Sequence, residues 1–320
     1  MKIIKSLIIL VVLLLSTGCL NYVELNNIGI INTIGISKQD DYFIININML
    51  TPKENDLEKK QEFETKALSI EEAFDKLYLI TEKNINISHL ELLILNKTLS
   101  KKDYDEIIRF FLRRSDSRNN FNIVILENYS KDYITKYNSS DINELIKTNS
   151  NEDGIIIPKT FDEMIEDISN IGISYIPTIK IDKKVEILGY RSIYKEEKLL
   201  SKQDSLIYNY IKDKIVKCYI VDKNLNIKIE KNKTLIDINK NVITINIKST
   251  INDFEKTNKN NYKEVLEKYI ISFLNTNDKS YFYNLIKKYN YNYYKKNNEI
   301  DIKFKIVITV NHNKEVNNIE

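Results

Sequence analysis

One run of about forty residues constrains the fold most. Leu90 to Leu95 (LELLIL) is a short, nearly unbroken apolar stretch that reads as a strand. Tyr104, Ile107, Ile108, Phe111 and Leu112 then recur at helical spacing and form one apolar stripe, with Arg109, Arg113 and Arg114 projecting elsewhere. Phe121 to Leu126 (FNIVIL) reads as a second strand. A strand, a helix and a strand over about 37 residues suit a βαβ crossover.

The surrounding segments alternate between the same two patterns. Ile28 to Ile36 reads as a strand, Asp40-Asp41 as a turn, and Phe43, Ile45, Ile47 and Met49 as one face of a half-buried strand. Thr51 to Glu62 is charged, contains Pro52, and reads as a surface loop. Ser69 with Glu72 three later forms a capping box ahead of Ile70, Ala73, Phe74 and Leu77 at helical spacing. Asn128 to Thr148 holds two short helical patterns, Asn149 to Gly154 reads as a polar loop, and Phe161, Met164, Ile165 and Ile168 mark another helix.

In the second half, a short helix is expected at Leu206 to Ile211. Alternating strands follow at Val216/Cys218/Ile220, Leu225/Ile227/Ile229 and Ile243/Ile245/Ile247, with Leu235 to Ile238 between the last two. This pattern predicts an antiparallel meander with one polar face. Tyr262, Val265, Leu266, Tyr269, Ile270, Phe273 and Leu274 give a long helical stripe, and Ile300 to Val310 a final alternating strand. The expected class is α+β, with mixed and antiparallel sheets flanked by helices. Two domains are expected, residues 19–183 and 184–320, or three if the first divides.

The N-terminus sets an address. Lys2 and Lys5 precede an uninterrupted apolar run, Leu7 to Leu15, which ends in Ser16, Thr17 and Gly18. As a helix that run spans about 14 Å at 1.5 Å per residue, too short for a bilayer core of roughly 30 Å, so residues 1–18 read as a cleaved signal peptide. Gly18-Cys19 at the cut matches a lipoprotein signal, although Ser16 stands where a large apolar residue is usual. Cys19 is the expected lipid attachment site, and two or more acyl chains there would anchor stably.

Charge and cysteine usage exclude several classes. The chain has 48 Lys and Arg against 45 Asp and Glu, and removing Lys2 and Lys5 leaves it nearly neutral, which argues against a general nucleic-acid binder. Of two cysteines, Cys19 is assigned to the anchor and Cys218 remains alone, so no disulfide framework is expected. No metal-ligand spacing, dinucleotide fingerprint or phosphate loop occurs. The two histidines do not suggest catalysis: His89 opens a strand and suits a structural hydrogen bond, while His312 lies near a polar terminus. No enzyme activity, cofactor or metal is expected.

The run from Ile87 to Leu126 resembles the N-terminal domain of the Ger(x)C spore germination lipoproteins. His89, Phe111-Leu112-Arg113, Asp116 and Arg118 match the family pattern in order. So do Gly18-Cys19, Glu24-Leu25 and the Gly29 to Ile36 strand, with Leu20-Asn21 and Ser37 departing from it. Tyr175-Ile176-Pro177, Val185 to Tyr194 and the terminal helix and strand are similar to the family's C-terminal half. The resemblance implies the C-subunit of a nutrient germinant receptor. It implies A-type and B-type integral-membrane subunits as partners, and a place on the outer face of the spore inner membrane.

Two charged features suggest docking. Arg109, Arg113, Arg114 and Arg118 gather at a helix C-terminus, where the helix dipole and pairing to Asp116 or Glu106 give a plain structural explanation. Arg113 and Arg114 are nonetheless candidates for partner contact. Asp278 to Lys296 combines basic and aromatic residues, and Lys287 and Lys288 are candidates for an anionic membrane surface. The rival reading is a solute-binding lipoprotein of a transporter. Such a protein usually repeats βα units in both lobes, unlike the meander expected here.

Overall fold

The computed structural model describes residues 27–51, 59–195, 197–222, 225–252, 259–277, 279–297 and 300–312. Residues 1–18, expected as a signal peptide, Cys19 and the residues after 312 lie outside these. The first half of the chain builds one eight-stranded sheet. Its strands are β1 (Ile28–Gln39), β2 (Tyr42–Thr51), β3 (Lys59–Ala67), β4 (Asn84–Asn86), β5 (Leu92–Asn96), β6 (Asn122–Leu126), β7 (Ser174–Ile181) and β8 (Val185–Ile193). They lie in the order β3-β2-β1-β5-β6-β7-β8, with β4 pairing the first residues of β1. The central strands β1, β5, β6 and β7 run parallel, and hairpins add antiparallel edges on both sides.

Parallel centre strands carry apolar side chains on both faces because helices cover both. Leu93, Leu95, Ile123 and Ile125 join one core, and Leu92, Ile94, Val124 and Leu126 the other. The first core is roofed by α1 (Ile70–Thr81), α2 (Lys101–Arg113) and α5 (Phe161–Ile171), through Phe74, Leu77, Tyr104, Ile107, Phe110, Phe111, Phe161 and Met164. The second face packs α3 (Lys131–Lys136), α4 (Ser139–Glu152) and α6 (Lys202–Ile211), and its apolar cluster continues into the second sheet.

The second sheet holds β9 (Cys218–Asp222), β10 (Leu225–Asn239), β11 (Val242–Asn252) and β12 (Lys303–His312), in the order β12-β11-β10-β9. β9 to β11 form the expected antiparallel meander. β12 instead runs parallel to β11, because α7 (Lys259–Thr276), α8 (Ser280–Tyr289) and α9 (Tyr291–Lys296) carry the chain back across the sheet. The fold is thus α+β, two sheets flanked by helices.

Several expectations shift. Lys59 to Glu62 belongs to β3 rather than to a loop, Asn149 to Glu152 continues α4, and the runs at Leu225 and Leu235 are one strand with an irregularity between Ile229 and Lys231. The stripe on α2 is rotated: Phe110 is buried, whereas Leu112 is 54% exposed. The division expected between 183 and 184 falls in the turn of the β7–β8 hairpin. By sheet membership the chain parts later, between Ile193 and Cys218.

Candidate functional site at the entry end of the large sheet

Ile28 opens β1, the first described strand. Because β1, β5 and β6 are parallel, all three start toward the same end of the sheet. The crossover helix α2 must run the other way. Its first turn confirms this: Asp103, in a reciprocal capping box with Ser100, accepts a hydrogen bond at 2.6 Å from Lys38, near the far end of β1. The last turn of α2 therefore lies at the entry end. So does the last turn of α1, since the chain leaves it through Glu82 in the left-handed region (φ 50) and forms β4, whose Asn84 pairs with Ile28.

These two helix ends are clasped by Arg114. Its Nε and Nη2 donate to Asp116 Oδ1 and Oδ2 at 2.8 and 2.7 Å, and its guanidinium lies 5.6 Å from the ring centroids of both Phe74 and Phe110. Asp116 Oδ2 also accepts from the backbone N–H of Ile87 at 3.3 Å. Burial acts to raise the Asp116 pKa, but the hydrogen bonds and charge of Arg114 outweigh it, and the carboxyl titrates below its ordinary range. Arg114 thus ties α1, α2 and the β4 exit together.

Arg113 and Arg118 are exposed, and no ion pair holds either among the described residues. At the same end of the sheet the last turn of α1 exposes three consecutive apolar side chains, Tyr78 (51%), Leu79 (74%) and Ile80 (55%). The sequence reading missed these three. The apolar stripe of α1 is complete without them, in Ile70, Ala73, Phe74 and Leu77.

Lys287 and Lys288 are exposed on α8, whose buried face (Phe282, Ile286) packs on the second sheet through Phe304. Their ammonium groups lie 5.9 Å from the Tyr294 ring and 5.4 Å from the Tyr289 ring. The structure therefore puts the two candidate patches on separate elements, one on each sheet. His89 sits exposed in the turn before β5, with no hydrogen-bond partner among the described residues; the expected structural bond is not made. Cys218 is buried against Tyr210 Oη at 3.3 Å, and burial pushes its thiol up to about 12.

One cavity of about 230 Å³ lies between α5, β7, β8 and α6, lined by Tyr175, Tyr190, Tyr208 and Lys212 among others. Most of its polar groups are engaged internally. Lys159 pairs with Asp167 at 2.6 Å, and Tyr190 Oη accepts from Ile157 N and donates to Asn209. Lys212 lies 3.9 Å from the Tyr281 ring, and burial pulls its ammonium below the ordinary lysine range. Among the described residues no helix is long and apolar enough to cross a membrane, and no group of His, Cys, Asp and Glu is placed to hold a metal ion.

The molecule is thus a two-sheet α+β protein with exposed apolar and basic side chains at the end of the large sheet where β1 begins. A family model described as the spore germination protein N-terminal domain matches residues 21–181. The chain belongs to this spore germination family, the Ger(x)C proteins, which are subunits of germinant receptors. A solved structure described as the crystal structure of the GerBC protein is similar in fold. Its TM-score is 0.56 at 18% identity, and the match covers 87% of this chain and 96% of that one. No curated protein matches the chain.

Proposed function

We propose that the protein is the lipid-anchored, non-catalytic C-subunit of a nutrient germinant receptor. It acts in receptor assembly and signalling beside A-type and B-type integral-membrane subunits, on the outer face of the spore inner membrane. The observation that carries this reading is the family match over residues 21–181, which takes in every strand of the large sheet except β8. The Gly18-Cys19 signal supports the anchor. An acyl anchor confines the subunit to the membrane of its partners and raises its effective concentration there.

The test is a Cys19→Ala strain. The protein should leave the membrane fraction, and the A-type and B-type subunits should no longer co-purify with it at wild-type levels. Normal membrane recovery and co-purification in that strain would overturn the role of the anchor. The solute-binding reading has one observation on its side, the tyrosine-lined cavity. Against it, the second sheet is a meander closed by one parallel strand and, among the described residues, shows no repeated βα units.

A further inference from the structure

We propose that the entry end of the large sheet is a membrane-contacting surface: Tyr78, Leu79, Ile80 and Leu112 dip into the bilayer that holds the chain at Cys19, and Arg113 and Arg118 sit at its headgroups. This rests on the reading of Cys19 as the anchor. Three independent observations converge on it.

The first is tether length. Nine residue steps separate Cys19 from Ile28, a reach of about 30 Å at most. Asn84 lies beside Ile28 at the strand spacing of about 4.8 Å, and Ile80 is four residues from Asn84, at most about 14 Å further. A lipidated Cys19 therefore keeps Ile28 within about 30 Å of the lipid surface, which places this end of the molecule nearer to it than a longer tether would.

The second is the apolar tip. Three large apolar residues, each more than half exposed, stand on the last turn of α1, and Leu112 (54% exposed) stands on the last turn of α2, so this end of the sheet presents several apolar side chains rather than a single one. The patch is a tip rather than a groove. A standard protein interface recruits roughly 20–30 residues a side, many more than these four, whereas a bilayer accepts a few protruding side chains. Tyrosine is also favoured at the membrane interface.

The third is charge. Arg113 and Arg118 carry the exposed, unbridged positive charge expected of a surface that meets anionic headgroups, while Arg114 is neutralised by Asp116. Two exposed carboxylates flank the tip, Asp75 one turn before Leu79 and Glu82 at the C-terminal cap of α1, and a bilayer contact must leave both in the headgroup layer.

The chain offers a clean experiment. It contains no tryptophan, so Leu79→Trp creates a single indole at the tip. Cys218 is buried, so a maleimide lipid should couple selectively at Cys19, as a Cys19→Ser control that takes up no lipid would verify. The mature chain from Cys19 onward, tethered in this way to vesicles of phosphatidylglycerol and phosphatidylcholine, should show blue-shifted emission and quenching by bromine-labelled acyl chains. A tethered Leu235→Trp control, exposed on the second sheet, should show neither. Adding Arg113→Glu and Arg118→Glu should at least halve the quenching at position 79. Emission unchanged by tethering and unquenched by bromolipid would overturn the proposal and leave a protein partner as the occupant. Equal quenching at positions 79 and 235 would overturn it too. Because the tether is made chemically, neither result depends on whether cells acylate Cys19.

Discussion

Arg114 and Asp116 meet in a two-pronged ion pair, Nε to Oδ1 at 2.8 Å and Nη2 to Oδ2 at 2.7 Å, packed under the rings of Phe74 and Phe110. Because Asp116 also accepts the Ile87 N–H, losing the carboxylate strips partners from an arginine and a backbone donor at once. Hydrogen bonds to charged groups contribute about 1.5–3 kcal/mol, so Asp116→Asn should cost about 2 kcal/mol in urea unfolding at neutral pH. Arg113→Ala, one residue before Arg114, should change stability by less than about 0.5 kcal/mol.

The same pair predicts a pH dependence. The folded Asp116 pKa is depressed, so its contribution is fully present above the unfolded carboxylate value near 4 and is lost as pH falls through the lower folded value. Unfolding free energies measured between pH 6 and pH 2 should fall less steeply for Asp116→Asn than for the wild type. Parallel curves would show that the pair carries no linkage.

The position of β3 explains what the sequence concealed. Its residues, KKQEFETKA, offer Phe63 and Ala67 as the apolar side chains, and as an edge strand it needs one partner, β2, and no apolar alternation on both faces. The central strands were legible because burial on both faces forces continuous apolar runs. The end of the large sheet where β1 begins was half legible. The sequence offers Asp116 or Glu106 as partners for the arginine cluster without saying which arginine pairs, and the structure pairs Arg114 with Asp116. The exposure of Leu112 and of Tyr78 to Ile80 depends on how far each helix extends past its supporting sheet, which apolar periodicity does not encode. The parallel return of β12 was hidden for a similar reason, since alternation marks a strand without giving its direction.

Gly189 should tolerate no side chain. Its φ of 131° lies where L-residues are strained, and a Cβ there would stand 2.7 Å from the Leu200 carbonyl oxygen and 2.5 Å from Ser205 Oγ. The neighbouring bonds, Tyr190 N to Ser205 Oγ and Leu200 N to Tyr190 O, tie β8 to the start of α6, so neither obstacle can move freely. Backbone strain and overpacking each cost about 1–3 kcal/mol, and Gly189→Ala should lose about 3 kcal/mol or more by chemical denaturation. Gly29→Ala should lose less, because the added Cβ meets the flexible end of Met49.

Cys218 should behave as an inert core residue. Its thiol, pushed up to about 12, stays protonated through the range of ordinary thiol reagents and is shielded from them. In a Cys19→Ser protein, a colorimetric disulfide reagent at pH 8 should titrate no thiol in the native state and one in urea. Rapid native labelling would mean that the second sheet opens readily around β9.

The central claim, a germinant receptor subunit, is tested most directly by spores lacking the protein. Dipicolinic acid release would be followed across a nutrient panel, with a complemented strain as control, in a background stripped of sister receptors. The account predicts loss of release to one class of nutrient with release by artificial triggers intact. Unimpaired release to every nutrient in that background would contradict it.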